Sequence, residues 1–283
     1  MSHRLDSYFY ELIKEDTTGA LIRRDKVLFD QTSPYQHVEI FENAELGRVM
    51  ILDGCVMITQ RDEFTYHEML VHPALLAHPN PENVLVVGGG DGGTLREVTK
   101  HPSVKRAVLC EIDDLVISSS REFLPFTACG LDHPKSEVFV GDGIEYIRQH
   151  KNEFDVVIVD STDPVGFAEG LFRIPFYKDV LAAMRPGGIF VQQTESPFFD
   201  VKVWERIFVE LKQVFTLVHP YGAAIPMYPS GYWTFAMASL TQTPKAHFDP
   251  KRVGALGELK SYSVQTQDAA FVLPAFAAKL IKG

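Results

Sequence analysis

Val84-Leu85-Val86-Val87-Gly88-Gly89-Gly90-Asp91-Gly92-Gly93 decides the fold, because an aliphatic run opens directly into a glycine loop. Such a run reads as a buried parallel strand turning into a helix, and open α/β sheets take their ligands beyond the carboxyl ends of these strands. Val156-Val157-Ile158-Val159, followed by Asp160-Ser161-Thr162-Asp163-Pro164, repeats the pattern with a second acidic loop. Gly88, Gly90 and Gly93 satisfy the G-x-G-x-x-G spacing of a dinucleotide site. Asp91 argues against that ligand, since a carboxylate inside the turn repels a pyrophosphate resting on backbone N–H groups. A nucleoside carrying an ammonium or sulfonium suits it better; a tight turn without a ligand is the plainer alternative.

Outward from this loop, strands are expected at Asn83–Val87, Arg106–Cys110, Val138–Val140, Val156–Val159 and Ile189–Gln193. Segments of helical period around Leu95, Val116, Ile147 and Val180 separate them, which predicts a doubly wound parallel sheet. A helix is expected from Asp62 until Pro79 and Pro81 end it, another strand at Trp233–Ala238, and a closing helix at Asp268–Leu280. The preceding segment is strand-rich, with extended stretches at Lys26–Phe29 and His37–Phe41. Gly47–Leu52, Asp53-Gly54 and Cys55–Ile58 read as a hairpin, because Asp-Gly between apolar runs marks a two-residue turn. The expected fold is therefore α/β: a small antiparallel β domain over residues 1–61, then a Rossmann-like doubly wound domain over residues 62–283.

The 283 residues are enough for a sizeable core, and 46% are hydrophobic. A formal net charge of −10 argues against nucleic acid and anionic membranes as partners and favours small cations. No apolar run approaches the roughly 18 residues of a membrane span, and the polar start Met1–Asp6 lacks a signal-peptide core, so a cytoplasmic location is expected. Cys55, Cys110 and Cys129 are odd in number and widely spaced, which suggests no disulfide framework.

Glu111 lies about 20 residues beyond the glycine loop at the end of a strand, the place from which an acid reaches ribose hydroxyls. Asp113, beside it, can cap the helix beginning near Leu115. In Gly141-Asp142-Gly143 the carboxylate can accept an adenine amine while the Gly143 backbone approaches the ring; equally, Asp142 can N-cap a helix at Ile144. Asp160 and Asp163 can converge on one cation, and either, partly desolvated, can act as a general base. The alternative, a metal site, is disfavoured because no histidine accompanies the two acids in sequence. Gly166 and Gly170 make Pro164–Pro175 a candidate lid.

The chain resembles the spermidine synthase, or polyamine aminopropyltransferase, family. The resemblance rests on Asp62–Met69, Gly88–Gly93, Cys110–Asp113, Gly141–Gly143, Asp160–Gly166 and Ile225–Gly231, in order. It implies transfer of an aminopropyl group from decarboxylated S-adenosylmethionine, a co-substrate, to putrescine, with no metal or other cofactor. It further implies that Asp160 is the base, that Asp163 and His67 bind the amine, and that Tyr66 and Tyr228 position the attacking nitrogen. Asp91 would hold the ammonium of the aminopropyl arm and reject ordinary S-adenosylmethionine through charge repulsion with its carboxylate. Gln36, Gly88, Gly90, Glu111, Asp142, Gly143 and position 167 would contact the nucleoside. Phe167 departs from the family, which usually has proline there. A homodimer or homotetramer is expected.

The acceptor is left open by the residues: cadaverine, agmatine or a longer polyamine would use the same acids. A methyltransferase acting on intact S-adenosylmethionine and a noncatalytic polyamine sensor are the other readings weighed. His67-Glu68-Met69-Leu70-Val71-His72 has one residue too many between its histidines for a zinc-protease helix.

Overall fold

The structure is a computed structural model that describes residues 7–13, 17–164 and 166–281. The polar start Met1–Asp6 and one position of the expected lid, Val165, lie outside the described residues.

Two antiparallel units precede the large sheet. Strands β1 (Tyr8–Ile13) and β2 (Thr18–Arg23) form a two-stranded ladder; β3 (Lys26–Thr32), β4 (His37–Asn43), β5 (Gly47–Leu52) and β6 (Cys55–Thr59) form a four-stranded meander. The Asp53-Gly54 hairpin is present: Leu52 pairs with Cys55, and both turn residues have positive φ, 47° and 81°, as a type I′ turn needs. The β1–β2 ladder was not expected.

The large sheet has seven strands, β7 (Asn83–Gly88), β8 (Arg106–Glu111), β9 (Ser136–Val140), β10 (Phe154–Asp160), β11 (Met184–Gln193), β12 (Leu217–Ala224) and β13 (Tyr232–Ser239). Their spatial order is β12-β13-β11-β10-β7-β8-β9. The five strands from β7 to β11 are parallel, whereas β13 runs antiparallel to β11 and to β12. The five strands expected from the alternation are thus parallel, and the sheet is mixed at one edge, where β13 and β12 are added. Alternation sorts the core by face: Val84, Val86, Val156 and Ile158 join one apolar cluster, and Leu85, Val87, Val157 and Val159 the other. Helices α1 (Phe64–Ala77) and α2 (Gly93–Thr99) contribute to the first cluster. Helices α5 (Gly143–Gln149), α6 (Ile174–Ala183) and α7 (Val201–Lys212) contribute to the second. Helices α3 (Asp114–Phe123) and α4 (Pro125–Ala128) lie between β8 and β9.

Helix α1 carries Pro73 in its interior. Proline has no N–H to give the carbonyl four residues back, that of Met69, and the Tyr221 hydroxyl of β12 donates to it at 3.0 Å. Glu68, on the same helix, accepts from the backbone N–H groups of Lys260, Ser261 and Tyr262 at 2.7–2.9 Å, tying the C-terminal segment to α1. That segment holds α8 (Pro250–Gly254), α9 (Val264–Ala269) and α10 (Ala275–Leu280). The single closing helix expected over Asp268–Leu280 is instead broken, because Pro274 has no N–H to continue a helix and stands as the N-cap of α10. No helix among the described residues is long and apolar enough to cross a membrane.

Leu109 is fully buried in β8. Leu109→Ala should cost about 2–5 kcal/mol, measured as a lower denaturation midpoint; an unchanged midpoint would show that the site collapses around the cavity.

Candidate active site

Chain order reverses between β7 and β10: β8 and β9 extend one way, β11 and β13 the other. Gly88 and Asp160 are register partners at the ends of these two strands. The approach is so close that a Cβ on Gly88, whose φ is +83°, would lie 2.2 Å from the Asp160 carbonyl oxygen. Glycine is required on both counts. A cavity of about 480 Å³ opens there, and every residue anticipated for the site lines it, from Gln36, Tyr66 and His67 to Phe167 and Tyr228.

At its inner end Asp160 is half-buried. Its Oδ1 accepts from the Tyr66 hydroxyl at 2.8 Å and its Oδ2 from the Thr94 hydroxyl at 2.6 Å. Burial pushes this carboxyl above its ordinary range; His67 opposes the shift and Asp91 adds to it. Burial, with the negative charge of Asp160, also raises Tyr66 well above the phenol range, so its hydroxyl remains a donor. Asp91 accepts the Gly93 N–H at 2.8 Å and stands 3.5 Å from His67 Nε2. No histidine accompanies Asp160 and Asp163 in sequence, but α1 brings His67 to Asp160 in the fold: its ring and the carboxylates of Asp91 and Asp160 offer atoms within 4.8 Å of one another.

Beyond the glycine loop, Glu111 is buried and accepts from the backbone N–H groups of Gly90 and Asp113. Burial pushes its carboxyl up to about 7. Asp142 is the N-cap of α5, accepting from Ile144 and Glu145, while also lining the cavity. Asp113 caps α3 through Oδ1 and uses Oδ2 to hold the side chains of Ser33 and Gln36, at 2.8 and 2.9 Å. Phe167 follows Gly166 in a short 3₁₀ helix, is 68% exposed, and meets Tyr35 edge-on at 5.6 Å.

Asp160 and Asp163 both line this cavity, and Asp163 has a second acidic neighbour. Asp163 hydrogen-bonds the carboxyl of Glu195, and burial raises both, Glu195 further through the charge of Asp163. Like charges in such contact disfavour ionisation of both groups at once. Glu195 is 5% exposed, adopts φ +67°, and its Oε1 has no hydrogen-bond partner. It lines a second cavity of about 400 Å³ with Glu11, Gln193 and Asp200. Tyr66, Tyr228 and Asp163 stand at both cavities and so mark their junction. The Tyr228 hydroxyl donates to the Met57 carbonyl at 2.7 Å, leaving its oxygen to accept.

Thr94, Glu63, Glu195 and Glu11 escaped the sequence reading. The glycine loop would have flagged only Thr94, the residue after Gly93. The two histidines of the zinc-protease-like stretch separate: His67 meets Glu63 and Asp91, whereas His72 meets Glu97 and His101.

The family model described as spermine/spermidine synthase domain matches residues 63–249, and that described as spermidine synthase tetramerisation domain matches residues 8–60. The chain belongs to the spermine/spermidine synthase family. It is 46% identical over 261 residues to a polyamine aminopropyltransferase of Clostridium kluyveri, covering 91% of this chain and 93% of that one. A Thermotoga maritima polyamine aminopropyltransferase is 43% identical over 274 residues, covering 96% and 93%. A crystal structure of a spermidine synthase in complex with the transition state analogue AdoDATO superposes with a TM-score of 0.95 at 42% identity, covering 97% of this chain and 94% of that one. Spermidine synthase from Thermotoga maritima gives 0.93 at the same identity and coverage. As a member of this family the chain is an aminopropyltransferase, which displaces the methyltransferase and sensor readings.

Thr94→Val keeps the side-chain volume and deletes one donor to Asp160. The Asp160 carboxyl should then titrate at higher pH, read by carbon NMR of labelled aspartate; titration equal to wild type would mean the hydroxyl carries no weight.

Proposed function

We propose that this aminopropyltransferase moves the aminopropyl group of decarboxylated S-adenosylmethionine to putrescine, with Asp160 as general base. One observation carries the reading: a half-buried carboxylate held by two hydroxyls lines a nucleoside-sized cavity, and one of its donors, Tyr66, also lines a second cavity lined with acids. The similarity to a spermidine synthase seen with a transition state analogue supports it.

A protonated amine has no lone pair and cannot attack, so a proton must leave before the N–C bond can form. In this reading Asp160 takes it, the nitrogen attacks the methylene next to the sulfonium, and the C–S bond breaks in line, releasing neutral methylthioadenosine. Asp91 and His67 lie beside Asp160, where Asp91 would bind the ammonium of the arm and repel a donor that keeps its carboxylate. Tyr66 and Tyr228 would orient the nitrogen through their hydroxyl oxygens. Asp163 and Glu195 would hold the far ammonium of the acceptor, whose charge offsets their mutual repulsion. Gln36, Gly88, Gly90, Glu111, Asp142, Gly143 and Phe167 would surround the nucleoside, with the ribose on Glu111. The donor is a co-substrate. A cytoplasmic enzyme of two or four copies, with residues 1–61 as the associating β domain and 62–283 as the catalytic one, completes the reading; the match to a tetramerisation domain supports the association.

Purified protein with decarboxylated S-adenosylmethionine should form spermidine fastest from putrescine, with equal methylthioadenosine, when putrescine, cadaverine, agmatine and spermidine are compared by chromatography. A faster reaction with another amine would reassign the acceptor. Asp160→Asn should retain nucleoside binding and lose about 10²- to 10⁴-fold in turnover; near-normal turnover would move the base elsewhere.

A further inference from the structure

Behind the reacting groups runs a chain of buried charges. The Glu63 carboxylate, 7% exposed, receives both terminal nitrogens of Arg96 at 2.8 Å and lies 2.6 Å from His67 Nδ1. Arg96 is itself fixed, its Nε on Glu97 at 2.7 Å and Nη1 on the Phe126 carbonyl at 2.7 Å. Nδ1 must therefore carry a proton towards Glu63. The other ring nitrogen, Nε2, faces the Asp91 carboxylate at 3.5 Å. A neutral ring would point a lone pair at that negative charge, whereas a ring protonated at both nitrogens makes an attractive contact at each end. The ring is clamped in this pose: a Cβ on Gly93 would lie 2.3 Å from it.

We infer that Glu63, anchored by Arg96, is a positioning residue that holds His67 as a fixed cation, and that this cation keeps the Asp160 carboxylate ionised for proton abstraction. The inference rests on the reading of Asp160 as the base. Burial alone would disfavour a charged His67, yet Asp91 and Glu63 outweigh it and push the ring up to about 10. Burial would likewise raise Glu63, and His67 with Arg96 bring it down to about 2. The groups facing this pair are Glu63 and Tyr66 from α1, Asp91 from the glycine loop, Thr94 and Arg96 from α2, Asp160 from β10 and Tyr228 after β12. Of these, Asp91 works to protonate Asp160, and His67 is the charge that opposes it. The arrangement explains a cation inside a site for cationic substrates: two adjacent carboxylates without it would trap a proton and silence the base.

Glu63→Gln removes the charge and keeps the shape. Its turnover should be roughly tenfold low on the acid side, the effect of about one unit, and return to within about twofold of wild type at high pH. A loss of equal size at every pH would mark a merely structural residue and overturn the inference, as would an unchanged profile. Nitrogen NMR of labelled histidines, with His67 assigned by its absence in His67→Gln, supplies a readout independent of turnover and of folding in the variant. In wild type both His67 nitrogens should remain protonated at about pH 8; a neutral ring there would overturn the inference. Failure of the base reading is distinguishable: an active Asp160→Asn enzyme would refute that reading while the His67 signal stayed as expected.

Discussion

The contact on which the site depends is the approach of Gly88 to the backbone of Asp160. Parallel strands can end together only if their exits do not collide, and here a single methyl group on Gly88 would occupy the Asp160 carbonyl. Because the two strands are register partners at the point where chain order reverses, both loops leave on the same edge and diverge around one space. Asp91 is thereby brought to Asp160 although it lies 69 positions earlier in the sequence, by subtraction of their numbers. Gly93 plays the matching part for α1, since the His67 ring occupies the volume a side chain there would need. The glycines act by yielding space to other residues of the chain, which explains how a dinucleotide-like spacing arises beside an acid that a pyrophosphate would reject.

Concentrating acids in one cleft carries an electrostatic penalty, and the structure relieves it differently at each position. Asp160 receives two hydroxyls and the nearby His67 ring; Glu111 receives backbone N–H groups; Asp163 and Glu195 hydrogen-bond each other. None of these measures cancels the penalty, for burial still raises Asp160, Glu111, Asp163 and Glu195. A cleft left in that condition gains more from a bound cation than an equally acidic surface would, because the attraction acts where water is scarce. The same physics separates the two ends. Asp160 is relieved by fixed groups, the hydroxyls of Tyr66 and Thr94, whereas Asp163 and Glu195 are relieved only by each other.

The sheet was legible because its central strands are buried on both faces and written as unbroken aliphatic runs; Val84–Val87 and Val156–Val159 could be little else. The Asp53-Gly54 turn was legible because only a few residues tolerate two successive positive φ angles. Strand β12 was hidden by Pro220 and Gly222, residues that usually end strands and here sit in an edge strand, where Pro220 is tolerated. Helix α1 extended through Pro73 because the lost hydrogen bond is replaced from a strand that lies 148 residues away by number, a compensation no local pattern records. In the site, the acids at strand ends were legible from topology, but their neighbours were not. Thr94, Glu63 and Glu195 matter through partners that only the tertiary fold supplies, and a buried glutamate reads in sequence like any solvated one.

Capping and binding, which the residues posed as rival roles, prove compatible because a carboxylate has two oxygens. Asp142 meets both N–H groups at the start of α5 through Oδ1, so the cap fixes the carboxyl plane without consuming the second oxygen. Asp113 makes the division visible: Oδ1 caps α3, and Oδ2 reaches across to Ser33 and Gln36 ahead of β4. That second bond couples the small antiparallel unit to the large sheet at the cavity wall, and it fixes Gln36 before any ligand arrives. Pre-fixing matters energetically, since immobilising a long polar side chain on binding costs about 0.5–1.5 kcal/mol. Gln36 has already met that cost in folding. The rim aromatic Phe167 has not: its ring touches Tyr35 only by an edge and remains largely in water, so a flat ring stacking on it would gain the full benefit of the burial. This end of the cavity is therefore rigid at its polar wall and adaptable at its apolar rim, an asymmetry set by which side chains the helix caps have already claimed.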